Sequence, residues 1–368
     1  MNITINKLKV FYIVIALCLI GSFLFVNNNF SFYERDIIKV IESELISEKS
    51  VIDRHENRDV LATQLITAEI KNGDYKGSFV TIENEYSESG AYDQAYKKGD
   101  ELFVSLNDSP SLTASIQDVK RDKNLLLITW VFIIILLIIG RKQGLYAVIS
   151  LAINAIILSF ALDFYIKHVE ISLLLICGFT VILFTIISLL LVNGFNEKTY
   201  AAIIGTLLGT FISLLITYIV MWLTNENGLR YEEMDFLTRP YKMVFMAGLF
   251  VGSLGAVMDV AITMSASIFS LYEKNNTISV ASLKKSGLEI GKDIMGTMTN
   301  ILFFAYISGS IPLLILYFKN GSPLLFTLSM NLSLELARAL AGGIGIVITI
   351  PIGIYVSIYF VNRKRAKI

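Results

Sequence analysis

The chain has 368 residues, 54% hydrophobic and 17% charged, with 31 basic and 31 acidic side chains and a formal net charge of zero. A soluble domain carries about 25% charged residues, and a balanced charge leaves no basic footprint for nucleic acid. Cys18 and Cys177 both lie in apolar runs and His55 and His168 are the only histidines, which excludes a disulfide framework and a zinc-type ligand spacing.

The hydrophobic excess is gathered into runs of around 20 residues, each long enough as a helix to cross about 30 Å of hydrocarbon. The fold class expected is an α-helical polytopic membrane protein of about eight transmembrane helices, with a small extracytoplasmic β-rich domain between helices 1 and 2. The first run, Val10 to Val26, follows Lys7 and Lys9 and continues into Asn27-Asn28-Asn29-Phe30. No small-x-small cleavage site follows, so residues 1–26 read as a signal-anchor helix.

Residues 27–123 form the polar domain. Asp36 to Glu48 reads as a short amphipathic helix with Ile37, Ile38, Ile41 and Leu45 on one side. Strand signals follow: Val60, Ala62, Ile66, Ala68 and Ile70 alternate with polar residues, and Asn72-Gly73 marks a turn before Gly77 to Glu83. Glu101 to Leu106 and Leu112 to Val119 read as two more strands, so about four strands suggest a small barrel or half-barrel with little core of its own.

Residues 124–368 hold seven further spans: Leu125–Gly140, Leu145–Leu162, Ile171–Val192, Tyr200–Leu223, Met243–Leu271, Ile294–Phe318 and Arg338–Val361. With a cytoplasmic N-terminus, the inner short loops hold Lys7, Lys9, Arg141, Lys142, Lys198, Lys274, Lys284, Lys285, Lys292, Arg363, Lys364, Arg365 and Lys367. The outer short loops hold Lys167, Arg230, Arg239, Lys242 and Lys319. This bias places both termini in the cytoplasm and the polar domain outside.

Three stripes could carry chemistry. On the fifth of those seven spans, Gly248, Gly252, Gly255, Asp259, Thr263 and Ala266 fall within about an 80° sector of a helix. Small-xxx-small spacing lets helices approach closely, whereas a mid-span carboxylate costs about 2.5–3.5 kcal/mol and faces a partner or water. Asp259 is therefore either an ion-coupling group or a structural hydrogen-bonding residue. In Lys284 to Asn300, Gly287 and Gly291 share one side while Asp293, Gly296, Thr297 and Asn300 share another; Asp293 reads equally well as a solvated helix-end acid, and Asn300 as a helix contact. Ser279 is a candidate N-cap, and Ile278 to Ile290 either lies along the membrane surface or begins one long helix. In the last span Asn331, Glu335, Arg338, Gly342, Gly345 and Thr349 share a face, with Glu335 and Arg338 spaced to pair. That pair is either an interfacial salt bridge or an anion-binding guanidinium; Pro351 is expected to break one backbone hydrogen bond and kink the helix. Asn154, Gly205, Thr206 and Gly209 read as scaffold.

No Walker A, HExxH or GxSxG motif occurs. Gly291-Lys292-Asp293 is only a fragment of an intramembrane protease signature, so the expectation is no enzyme, with an Asp259/Asp293 hydrolase as the remote alternative. The chain resembles the YibE/F-like family of bacterial membrane proteins through GSLGAVMDVA (Gly252–Ala261), Ser286–Asn300 with its Asp-Ile-Met-Gly core, and the Arg338-centred RALAGGIGIVITIP segment, with Tyr75-Lys76-Gly77 in the polar domain. The resemblance implies a multi-pass protein of a bacterial plasma membrane and transfers no catalytic residue.

Two functions follow. One is a secondary transporter or permease with Asp259 as coupling carboxylate, Asp293 and Asn300 at an inner gate, and Glu335 with Arg338 at the outer mouth; Gly248, Gly252, Gly255, Gly291, Gly296, Gly342 and Gly345 would pack helices. The other is a non-transporting assembly or signalling protein that displays residues 27–123. The expected partners are the lipid bilayer, an unidentified solute or ion, or another membrane or cell-envelope protein; no nucleic acid, cofactor or metal is implied.

Overall fold

The computed structural model describes residues 2–90, 93–107, 112–168, 170–234 and 240–366, so Arg239 and Lys367 of the charge-bias argument lie outside the described residues. Two compact units emerge, Met1–Ile138 and Ile139–Ile368. Among the described residues, six helices are long and apolar enough to cross a membrane, or seven if one bent pair counts as a span.

In the first unit, helix α1 (Asn2–Asn28) and a 3-10 turn (Asn29–Phe32) lead into a sheet of five strands: β1 (Asp36–Ile52), β2 (Arg58–Ile70), β3 (Phe79–Ser87), β4 (Glu101–Asn107) and β5 (Thr113–Val119). All pairings are antiparallel, in the order β3-β2-β1-β4-β5. The outer strands β3 and β5 approach within 8 Å at several Cα positions, which curls the sheet toward a half-barrel. β1 corrects the helix expected over Asp36 to Glu48. The spacing of Ile37, Ile41 and Leu45 fits a helix, but Ile38 and Val40 point to one side and pack with Ile66, Ala68, Ile70, Val80, Ile82, Leu102 and Val104. Four β-branched residues in six favour that pleated, half-buried surface, and long-range pairing overrides the helical pattern. The same cluster gives the small domain a core of its own.

The sheet is tied to the helices that flank it by buried charge. Lys120 has no exposed side-chain surface and meets Glu101 at 2.9 Å and Asp122 at 3.3 Å; Lys123 shares Glu101. The Lys120 ammonium also donates to the Val26 carbonyl of α1 at 3.3 Å and lies over the rings of Phe30 and Tyr33. Tyr33 and Asn29 donate to Asp122 at 2.6 and 3.0 Å, and this carboxylate contact with burial pushes the Tyr33 phenol above its usual pKa. Trp130 adds a bond to Ser22 of α1 at 2.8 Å.

Helix α2 (Asp122–Lys167) covers two of the expected spans in one 46-residue stretch with a single non-helical residue, Arg141, at φ 48° and ψ −120°. Straight, it would measure about 69 Å, more than twice the hydrocarbon thickness. The irregular residue sits where Gly140-Arg141-Lys142 separates the two apolar runs.

The second unit continues with α3 (Leu173–Asn193), α4 (Glu197–Leu223), α5 (Tyr241–Lys274), α6 (Val280–Ser308), α7 (Ile311–Lys319) and α8 (Leu324–Arg365). Asn196 caps α4 through the Thr199 amide, and Ser279 caps α6 through the Ser282 amide. α6 is continuous from Val280, so residues 280–290 extend the next span rather than forming a separate surface helix. The span expected as unbroken to Phe318 instead bends by 50° between α6 and α7. Gly309-Ser310 and Pro312 supply the breakers. α8 stays helical through Pro351.

α8 packs against α4, α5 and α6, and the glycines fix how. A Cβ at Gly209 would lie 2.0 Å from Thr349 Oγ1; at Gly291, 2.3 Å from Ile350 Cγ2; at Gly345, 2.8 Å from Val257 Cγ2. Gly287 meets Ile354, Gly342 meets Leu302, and Gly353 meets Met264. These contacts set α5 parallel to α8 and α4 and α6 antiparallel to it. Ser213 donates to the Ala341 carbonyl at 2.7 Å across the α4–α8 contact.

Two stability outcomes are expected. Lys120→Met should cost about 3 kcal/mol in denaturant or thermal unfolding, because Glu101 and Asp122 lose the fully buried ammonium between them and Glu101 keeps only the partly exposed Lys123; Lys71→Met at the more exposed Glu69 pair should cost under about 1 kcal/mol. Gly291→Ala should cost about 1–3 kcal/mol, and a double-mutant cycle with Ile350→Ala should give a coupling energy of roughly 1 kcal/mol or more.

Candidate functional site

The candidate residues lie on α5, α6 and α8, and their burial separates two kinds of surface. On α5 the residues turned toward α8 and α4, including Val257, Val260, Ala261 and Met264, are fully buried. Gly248, Gly252, Gly255, Asp259 and Ala266 are on the opposite side and exposed. A Cβ at Gly248, Gly255 or Gly296 would meet nothing within 4 Å, so the packing expected for these three is not met among the described residues. Gly291, Gly342 and Gly345 do sit at helix contacts, as do Gly205 and Gly209.

The carboxylate of Asp259, near the midpoint of α5, has no hydrogen-bond or ion-pair partner among the described residues. Among the described residues no neighbouring helix supplies the side-chain partner that a purely structural role requires. Thr263 donates back to the Asp259 carbonyl at 2.7 Å, and Thr297 to the Ile294 carbonyl at 2.9 Å, so both threonines are satisfied by their own helices. Asp293 and Asn300 are exposed on α6, also without side-chain partners among the described residues.

Two contacts fix the antiparallel register of α5 and α6. A Cβ at Gly252 would lie 2.3 Å from the Tyr306 hydroxyl, and one at Gly287 2.9 Å from Ile268 Cδ1. Interpolating between them brings Asp259 level with the turn Gly296–Asn300, and Asp293 level with Thr263. The exposed stripe of α5 and the polar residues of α6 thus occupy the same stretch of the bundle.

Clefts lie toward each end of that stretch. One, of about 410 Å³, is lined by Tyr306, Ser310, Leu313, Glu335, Arg338 and Met234 among others. The Arg338 guanidinium pairs with the Glu335 carboxylate and lies 5.3 Å over the Phe245 ring. Above Phe245, Tyr231 packs its ring at 5.8 Å and donates to Glu226 at 3.0 Å, while Lys242 pairs with Glu226 at 2.9 Å. Burial first, then the Glu226 carboxylate, raise the Tyr231 phenol well above its usual pKa. Asn331, on the same α8 stripe, is buried and donates to the Thr327 carbonyl, a local role. The second cleft, of about 500 Å³, is floored by Thr263, Ala266 and Ser270 of α5 with Ile290 of α6.

The three stripes therefore do not converge on one enclosed midplane cavity. Glu335 and Arg338 cluster at the level of Phe245, fourteen residues and about 21 Å along α5 from Asp259. Between the clefts, α5 offers glycines, one carboxylate and small hydroxyls, with the Tyr306–Gly252 contact as the closest approach of α6. Tyr306, Tyr231 and Met234 had no sequence signal beyond an aromatic or Met in apolar or loop surroundings. The break that places Ser310 in the cleft was marked by Gly309-Ser310 and Pro312.

A family model described as YibE/F-like protein matches residues 128–363, and one described as the YibE/F family N-terminal domain matches residues 31–119. No curated protein and no solved structure matches the chain.

Proposed function

The chain belongs to the YibE/F family and is a membrane protein, and from that premise we propose that it is a secondary transporter or permease whose pathway follows the exposed stripe of α5 beside α6. The observation that carries this reading is Asp259: a carboxylate without a partner among the described residues, halfway along a 34-residue helix long and apolar enough to cross a membrane, on a face of small residues that runs between two clefts. A lipid-facing carboxylate there costs about 2.5–3.5 kcal/mol, so water, an ion or a partner must meet it. Glycines on either side leave room for a solute, as in the glycine-interrupted helices that recur in transporters.

In this reading Asp259 binds the coupling proton or cation. Tyr306 against Gly252 is the constriction, and Glu335 with Arg338 forms the outer mouth. Asp293 and Asn300 lie along the inner part of the route. The lysine and arginine bias supports cytoplasmic termini and an extracytoplasmic sheet in a bacterial plasma membrane. The reading involves no enzymatic step.

The competing reading is a non-transporting assembly or signalling protein. The outward exposure of Gly248, Gly255 and Asp259 supports it, because another membrane protein could seat a helix there.

The test is proton, cation and solute flux in proteoliposomes. The wild type should carry flux for at least one member of the panel, and Asp259→Asn should lower it tenfold or more while Asp293→Asn has a smaller effect. Undiminished flux in Asp259→Asn removes the coupling role; no flux across the panel, with a partner crosslinked to residues 27–123, favours assembly.

A further inference from the structure

The ends of α5, α6 and α8 that meet at one end of the bundle build a charged surface that the transport pathway does not use. The joint is apolar inside, where Tyr272, Leu283, Ile358 and Val361 share one buried cluster. Arg365 ties it together: its guanidinium donates to the Ile278 carbonyl and lies 5.0 Å over the Tyr272 ring. On the rim stand Lys274, Lys284, Lys285, Arg363 and Lys364, none of them in an ion pair among the described residues. Glu273, the nearest acid of α5, is engaged by Lys198 at 3.6 Å. Glu289 and Asp293 stand one and two turns further along α6 from Lys285.

The second observation is an aromatic collar under these cations. Tyr355 and Tyr359 are 60% and 65% exposed, and with Arg363 they fall at i, i+4 and i+8 on one face of α8. Lys284 reaches back so that its ammonium lies 4.5 Å over the Tyr355 ring. Two turns before Tyr355, the same side of α8 exposes Val347. Read outward, this face is aliphatic, then tyrosine, then cationic. That is the order in which a bilayer presents acyl chains, glycerol and phosphate: tyrosine settles at headgroup level and lysine or arginine seeks lipid phosphate. A site for a soluble anion would have no use for the collar.

We propose that this end of the bundle is a docking surface for the headgroups of anionic phospholipids of the protein's own membrane. Lys284, Lys285, Arg363 and Lys364 contact phosphate, and Tyr355 and Tyr359 lie against the glycerol region.

The experiment equilibrates the detergent-purified full chain with phosphatidylglycerol, phosphatidylcholine or inorganic phosphate and measures lipid retained per protein by mass spectrometry. The wild type should retain phosphatidylglycerol at least tenfold better than phosphatidylcholine. Lys284→Gln with Lys285→Gln, and Arg363→Gln with Lys364→Gln, should each cut that preference severalfold. The exchanges Lys284→Arg and Arg363→Lys should keep it, as should Arg230→Gln at the opposite end. If a neutralised variant does not fold, raising NaCl on the wild type replaces it: the preference should fall as the charges are screened. Equal retention of both lipids, a preference indifferent to salt, or one that survives in the folded neutral variants overturns the proposal. Displacement of phosphatidylglycerol by millimolar inorganic phosphate overturns it in favour of a soluble-anion site.

Discussion

The close approach of α8 to three neighbours at once is the constraint on which the membrane unit depends. Lipid tails are as apolar as leucine, so helices in a bilayer are held by van der Waals fit and hydrogen bonds rather than by a hydrophobic drive. α8 obtains that fit through Gly342, Gly345 and Gly353 on its own surface, Gly205 and Gly209 on α4, and Gly287 and Gly291 on α6. Because α8 and α4 take up one face of α5, the residues half a helical turn away, Gly248, Gly255 and Asp259, are left uncovered. The packing on one side and the open stripe on the other are two consequences of a single arrangement.

The sequence makes the apolar helices, four of the five strands and the Ser279 cap legible, because each rests on local periodicity or capping chemistry. It misleads where a long-range contact decides. Asp36 to Glu48 carries a helical pattern, yet pairing with β2 and β4 makes it a strand. Glycine spacing shows that a face is small without showing whether anything lies against it. Gly248 and Gly255 have the same spacing as packed glycines and are open, whereas Gly205 and Gly209, read as scaffold, meet α8 as a packing role requires. Tyr306 precedes the break at Gly309-Ser310 and joins the site through its contact with Gly252 of α5, a long-range meeting that no local pattern announces.

Charge is used differently along the chain. Around Lys120 the carboxylates of Glu101 and Asp122 neutralise a buried ammonium and join the strands to α1 and α2. Glu335 and Arg338 neutralise one another at the edge of a cleft. At the joined ends of α5, α6 and α8 the cations have no ion pair among the described residues and stand over a tyrosine collar, the arrangement from which the phospholipid proposal is drawn. Among the described residues Asp259 has none of these arrangements, and its surroundings provide small side chains instead of a counter-charge. A carboxylate so placed is suited to exchanging a proton or cation with water, which a permanently paired one would not do.

A pathway along α5 requires that water rather than lipid reach its open stripe. Its most direct test is cysteine accessibility in native membranes, in a background lacking Cys18 and Cys177. Gly255→Cys and Ala266→Cys should react with a water-soluble thiol reagent at rates well above Leu340→Cys, a site 67% exposed on the outer surface of α8. Reaction at Gly255→Cys as slow as at Leu340→Cys would contradict the account and leave the stripe to lipid or to a dry protein interface.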